Sequence, residues 1–386
     1  MNWLAQQFEL SRGGDAHNVR PMEGLRGFAV FLVFLVHYVT FVNPWISEEA
    51  AAFAFFKSLR TIGNTGVDLF FILSGYLIYG SLIARRQQFL RFMSRRVERI
   101  YPTFVVVLAV YIILSFVAPS ENKIPPGTFE GILYLAQNFL LLPGLFPIEP
   151  MITVAWSLSY EMFYYLVIPL LVTALKLRHW RPISRVAVFV ISAIIIATYC
   201  AVYGGHVRLI MFISGMLLYE AMNSDHVPTP QGSIGLLALV LGLLDTLLPF
   251  DGSAGHALKV SILFVAFFIF CLACFRSPLS WLPRVFSWTP LRWLGNMSYS
   301  YYLLHGLALK VSFLALSKVV PVATFGSWFF WALLPPMFLL TLIPTSALFL
   351  IVERPFSLSP RKTGSILSGC LLKVSLPLVR PPVSRG

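Results

Sequence analysis

Apolar runs long enough to cross a bilayer follow one another through this 386-residue chain, joined by short connections. In hydrocarbon every backbone N–H and C=O needs a partner inside the protein, so such runs fold as helices. The expected fold class is therefore all-α, a polytopic transmembrane helical bundle. Composition agrees: 58% of residues are hydrophobic, 12% are charged, and the mean hydropathy is +0.78. Spans are expected near 26–42, 62–84, 101–118, 151–175, 186–203, 207–222, 233–249, 257–275, 293–316 and 326–351, about ten in all. Segments ending on one side of that arrangement carry 22 of the 29 Lys and Arg, which places both termini in the cytoplasm. The net charge of +13 sits in loops beside apolar runs, a topology signal that argues against nucleic acid as a partner.

The first apolar run follows Arg12, Arg20 and Arg26 and lacks a small-residue cleavage site before Asn43-Pro44. It is expected to stay as the first span rather than be removed as a signal peptide. Residues 1–19 read as an N-terminal cytoplasmic tail, with Met1–Glu9 either a short interfacial helix or flexible. Residues 20–356 read as the membrane domain, and 357–386 as a basic, disordered cytoplasmic tail. Within 119–150 the stretch FEGILYLAQNFLLLPG is apolar but short and bounded by Gly and Pro. A re-entrant or surface-lying segment is expected there, with an eleventh span as the alternative. Cys271 and Cys274 form a C-x-x-C inside an apolar span without a second pair, so packed thiols are expected and no metal.

Polar residues inside these spans carry the functional signal, because an ionisable group in hydrocarbon is costly unless it is used. Arg26 and His37 are eleven residues apart on the first span. At about 100° and 1.5 Å per residue, His37 returns to within roughly 20° of the face of Arg26 and lies about 16 Å further along. Asp68, Ser157 and Glu161 fall at similar depth on the second and fourth spans, and His305 about 18 Å along the ninth. A buried carboxylate needs a partner, and His37 at matching depth is the one expected for Asp68. Each residue also has a plainer reading: a helix-to-helix hydrogen bond for His305, Asp68 or Ser157, and an arginine partner for Glu161.

The run RRQQFLRFMSRRVERIYP, residues 85–102, adds six arginines. For Arg85 and Arg86 a topology signal suffices. Arg96 and Arg99 are spaced i, i+3 on a helix leading into the third span, which sets two guanidiniums together at the membrane face, a geometry suited to phosphates. The span from that rim to His37 matches the reach of a pantetheine arm.

These blocks together resemble the acyltransferase-3 family of bacterial membrane acyltransferases, which includes enzymes that O-acetylate lipopolysaccharide O-antigen and other glycans. The blocks are Arg26 with His37, GVDLFFILSGYLI at Gly66–Ile78, Arg96 and Arg99 in RRVERIYP, Trp156–Glu161, SYSYYLLH at Ser298–His305, and VERPF at Val352–Phe356. The resemblance covers roughly residues 20–356. It implies acyl-CoA, usually acetyl-CoA, as donor on the cytoplasmic side, and a hydroxyl of an extracytoplasmic glycan or similar acceptor on the far side. It also implies the bacterial inner membrane as the location, and importance to activity for Arg26, His37, Arg96, Arg99 and Glu161. The chain ends about thirty residues after VERPF, so direct transfer is expected rather than a relay through a fused second domain.

On this reading Arg96, Arg99 and Arg26 bind the phosphates of the donor. His37, held in one tautomer by Asp68, removes the proton from the acceptor hydroxyl; an imidazole with a pKa of about 6.5 suits such work. Ser157 and Glu161 complete the catalytic set, and Trp156, Tyr302 and His305 contact the acceptor or the oxyanion. A covalent acyl-enzyme on His37 or Ser157 is an alternative. The main rival is a proton-coupled secondary transporter, since intramembrane His, Asp and Glu also build proton relays. Against it stands the lack of a two-fold repeat of spans and of paired broken helices.

Overall fold

In the computed structural model, the described residues are 2–10, 19–46, 52–277, 280–322 and 325–358. The described residues form fifteen α-helices and contain no β-strand beyond two isolated bridges. In order they are α1 (Asn2–Phe8), α2 (Val19–Val42), α3 (Phe53–Gly63), α4 (Thr65–Ala84), α5 (Phe89–Val117), α6 (Thr128–Phe139), α7 (Trp156–Ala174) and α8 (Pro182–Tyr203). There follow α9 (Ile210–Met222), α10 (Gly232–Asp245), α11 (Gly252–Arg276), α12 (Trp281–Phe286), α13 (Thr289–Asn296), α14 (Ser298–Val319) and α15 (Trp328–Leu348). A π-helical segment, Phe349–Leu358, continues α15.

The all-helical polytopic bundle is as expected, but among the described residues eight helical runs rather than ten reach spanning length. The expected spans 207–222 and 233–249 are α9 and α10, of 13 and 14 residues, about 20 Å each at 1.5 Å per residue. α9 is buried almost throughout, between α4, α8 and α11, so protein rather than lipid surrounds its short length. The second span is longer than expected, running through α3 and α4 as Phe53–Ala84 with a break at Asn64.

α2 stands at the centre, against α4, α13 and α14. Its closest approaches are set by glycine. A Cβ on Gly24 or Gly27 would overlap the carbonyl oxygens of Phe286 or Leu291, and one on Gly295 would overlap that of Glu23. Gly63 of α3 and Gly66 of α4 meet α2 in the same manner, against Leu32 and Ala29. Cys271 and Cys274 are free thiols buried in α11.

The segment 119–150 is re-entrant relative to α5. α6 has twelve residues, about 18 Å, too short to cross a hydrocarbon core of about 30 Å. It runs antiparallel to α5, with the hydroxyl of Tyr101, near the arginine-rich end of α5, donating to the Phe139 carbonyl at 3.2 Å. The chain then climbs back, and Lys123 Nζ donates to the Pro150 carbonyl at 3.1 Å. Met1–Glu9 contains the helix α1, which packs on the bundle: the Phe8 ring stacks on Phe349 at 5.6 Å, and Arg292 reaches Glu9. α1, the start of α5 and the π-helical segment therefore share one face. The expected disordered tail lies, from residue 359 on, outside the described residues.

Candidate active site

α5 begins at Phe89, so Arg96 and Arg99 lie a turn apart on one side of it, and α2 brings Arg26 opposite. The three guanidiniums line one cavity of about 880 Å³, whose wall also holds Ser74, Ser157, Glu161 and Tyr302. Each cation is held from behind. Arg26 Nε and Nη2 donate to Ser298 Oγ at 3.2 and 3.0 Å. The Arg96 guanidinium lies over the rings of Phe92 and Tyr165, 5.0 and 5.1 Å from their centroids. Arg99 forms an ion pair at 2.9 Å with Glu353, a carboxylate with no exposed surface. The second oxygen of Glu353 accepts from the backbone N–H and the hydroxyl of Ser300, at 3.0 and 2.6 Å. Glu161 accepts from Ser74 Oγ at 3.2 Å and from the Tyr165 hydroxyl at 2.5 Å. Past Arg96 and Arg99, an open groove with Arg91 and Arg95 on its wall continues the cationic surface.

His37 lines a second cavity, of about 1080 Å³, together with Tyr111, Val154, Leu303, Gly306 and Lys310. The two cavities run end to end along the same helices. α2 gives Arg26 to one and His37 to the other, α5 gives Arg99 and Tyr111, and α14 gives Tyr302 and Leu303. Between them stands a cluster of hydroxyls. Ser157 Oγ lies 2.7 Å from the Tyr302 hydroxyl, and both reach the Val154 carbonyl at 3.1 Å. The arginines and the imidazole, expected along one passage, thus line separate cavities, with Ser157 and Tyr302 on the wall of the first and Val154, which both bond, on the wall of the second.

Of the candidate residues, Arg26, Arg96, Arg99, Ser157, Glu161 and Tyr302 meet in the first cavity. Asp68 does not reach His37. Its carboxylate faces Arg208 at 3.7 Å. The reason is azimuthal: Gly66 faces α2, and Asp68, two residues on, points about 200° away. Depth along a helix is readable from sequence, but the direction of a side chain depends on which neighbour claims which face. Trp156 joins the same group, its ring 5.8 Å from the Arg208 guanidinium, and lines neither cavity. His305 is fully buried behind His37, ring centroids 5.0 Å apart, and likewise lines neither cavity. Two partners were missed, Glu353 and Arg208. A lone glutamate in the apolar end of the last span was the signal for the first, since it demands a cation.

Fold and site together define an integral membrane protein with a cationic chamber at one end and an imidazole-bearing chamber beyond it. The chain belongs to the family described as "Acyltransferase domain", whose model matches residues 21–350. It is similar to the peptidoglycan O-acetyltransferase OatA of Listeria monocytogenes, with 26% identity over 63% of this chain and 44% of that protein. It is 28% identical to the exopolysaccharide production protein ExoZ of Rhizobium meliloti, over 65% of this chain and 78% of that protein. The O-acetyltransferase OatA of Staphylococcus aureus is 25% identical over 74% of this chain and 49% of its own length. The matches thus span about half the length of the two OatA proteins. No solved structure matches significantly.

Proposed function

We propose that the protein is a membrane O-acyltransferase that moves an acyl group, acetyl in the first instance, from cytoplasmic acyl-CoA to a hydroxyl of an extracytoplasmic glycan. The active unit is residues 20–356, in the bacterial inner membrane with both termini in the cytoplasm. The observation that carries this reading is the pair of chambers set end to end, one cationic and one bearing His37. The groove of Arg91, Arg95, Arg96 and Arg99 suits the phosphates of a nucleotide-bearing donor. The pantetheine arm runs past Arg26 and Glu161 toward Ser157. The glycans named for OatA and ExoZ support a sugar hydroxyl as acceptor, entering the second chamber.

At the junction the acceptor oxygen attacks the thioester carbonyl while His37 takes its proton. The tetrahedral oxyanion collects hydrogen bonds from the Ser157 and Tyr302 hydroxyls, which in the resting state bond each other. Collapse breaks the C–S bond, and the CoA thiolate recovers the proton from the imidazolium. A positioned base contributes a factor of about 10²–10⁴. The test is transfer of labelled acetyl from acetyl-CoA to envelope glycan by purified protein in vesicles. His37→Ala is expected to lose at least a hundredfold in kcat with donor KM unchanged, and Arg96→Ala with Arg99→Ala to raise donor KM. Activity of His37→Ala within a few-fold of wild type refutes the base assignment.

A further inference from the structure

His305 has a geometry with one chemical consequence. Its Nδ1 lies 2.9 and 3.0 Å from the backbone carbonyl oxygens of Tyr301 and Tyr302. Carbonyl oxygens only accept, so Nδ1 carries the hydrogen and Nε2 presents a lone pair. That Nε2 is buried and makes no hydrogen bond within the described residues, although an orphaned buried acceptor is costly. The ring cannot turn away to relieve it. It is stacked on Tyr301 at 5.3 Å and 9°, and the Tyr301 hydroxyl is itself tied to Thr341 Oγ1 at 2.7 Å. His37 lies against it, ring centroids 5.0 Å apart and inclined at 68°. No hydrogen bond joins the two rings in the structure, but a centroid separation of 5.0 Å lets an imidazole N–H point at the other ring's lone pair at about 3 Å once the His37 ring turns toward it.

We propose that His305 is the positioning residue of His37: its Nε2 accepts an N–H from His37, fixing the tautomer that leaves the other His37 nitrogen as a lone pair facing the second cavity. Resting on the proposed function, this gives His305 the orienting part in a base–orienter pair, the part for which Asp68 is committed elsewhere, to Arg208. His305 touches neither substrate, because it lines neither chamber. Unlike a carboxylate, a neutral imidazole performs this task without placing a charge in the hydrocarbon. The arrangement works only while Nδ1 is protonated, and the two carbonyls guarantee that.

The test uses full-length protein with ¹⁵N-labelled histidine in lipid nanodiscs, where solid-state NMR distinguishes the two neutral tautomers of His37. Wild type is expected to show one. His305→Phe removes the acceptor and is expected to give a mixture of His37 tautomers, a 10- to 100-fold fall in kcat and a donor KM within twofold. His305→Gln, whose amide oxygen reaches the position of Nε2, is expected to restore the single tautomer and most of the rate. If Phe prevents folding, His305→Asn, too short to reach His37, replaces it. A single His37 tautomer in the Phe or Asn variant, or an unchanged kcat, overturns the proposal. Failure of the base assignment reads differently: His37→Ala then stays active while the tautomer response to His305 substitution remains.

Discussion

The Arg99–Glu353 pair allows a quantitative test of how the cationic chamber is held open. Glu353 is fully buried and the Arg99 side chain 21% exposed, facing the chamber. Removing one member of a buried ion pair costs about 3–5 kcal/mol, mainly because the other charge is left without a partner. In Glu353→Gln the amide oxygen still serves Ser300 while the amide nitrogen, a donor, faces Arg99, so the loss is the charge together with the hydrogen bond that Arg99 donated to it. Water in the chamber solvates part of the freed guanidinium, which puts the expected destabilisation at the lower end, about 3 kcal/mol, or roughly a hundredfold in the folding equilibrium. Arg99→Met leaves an entirely buried carboxylate uncompensated and is expected to cost more, toward about 5 kcal/mol. The double variant removes both charges and is expected to be less destabilised than the sum of the singles, at about 5–6 kcal/mol, with a coupling energy of about 2–3 kcal/mol. Equilibrium unfolding of the four proteins by SDS in mixed micelles measures all three differences. A Glu353→Gln protein within 1 kcal/mol of wild type, or a double variant as unstable as the sum of the singles, refutes the reasoning.

Three further outcomes are expected. Tyr302→Phe strips the hydroxyl that contacts Ser157 and the Val154 carbonyl, and steady-state kinetics should show transfer slowed about 10- to 100-fold with donor KM within twofold. Asp68→Asn removes the counter-ion of Arg208 rather than a partner of His37, so thermal denaturation should show a loss of stability with kcat within threefold of wild type; a hundredfold loss of kcat at unchanged stability would return Asp68 to the base. Gly295→Ala drives a Cβ into the Glu23 carbonyl and should eliminate the monodisperse peak in size-exclusion chromatography, whereas Gly306→Ala, with open space around it, should keep that peak.

Much of this was legible in the sequence because hydrocarbon leaves so few options. Apolar runs of the right length become helices, and glycines such as Gly66 mark where two of them touch. Arg26 and His37, expected on one stripe of α2, each line a cavity, though two cavities and not one. Two things escaped. α9 fills the place of an expected span although it is too short for one, because a helix shielded by its neighbours need not match the bilayer. The partners of Asp68 and Arg99 also escaped, because each pairing joins distant parts of the chain through the azimuth of a side chain. Asp68 meets a residue 140 positions on, and Arg99 one in the last helical turn, and no local periodicity encodes either.

The hydroxyl pair between the two chambers has a consequence for energy conservation. A membrane that stores a proton gradient cannot tolerate an open, water-filled bore. The hydroxyls of Ser157 and Tyr302 on the wall of one chamber, tied to the Val154 carbonyl on the wall of the other, interpose bonded side chains between the two wells and so keep them from merging into one bore.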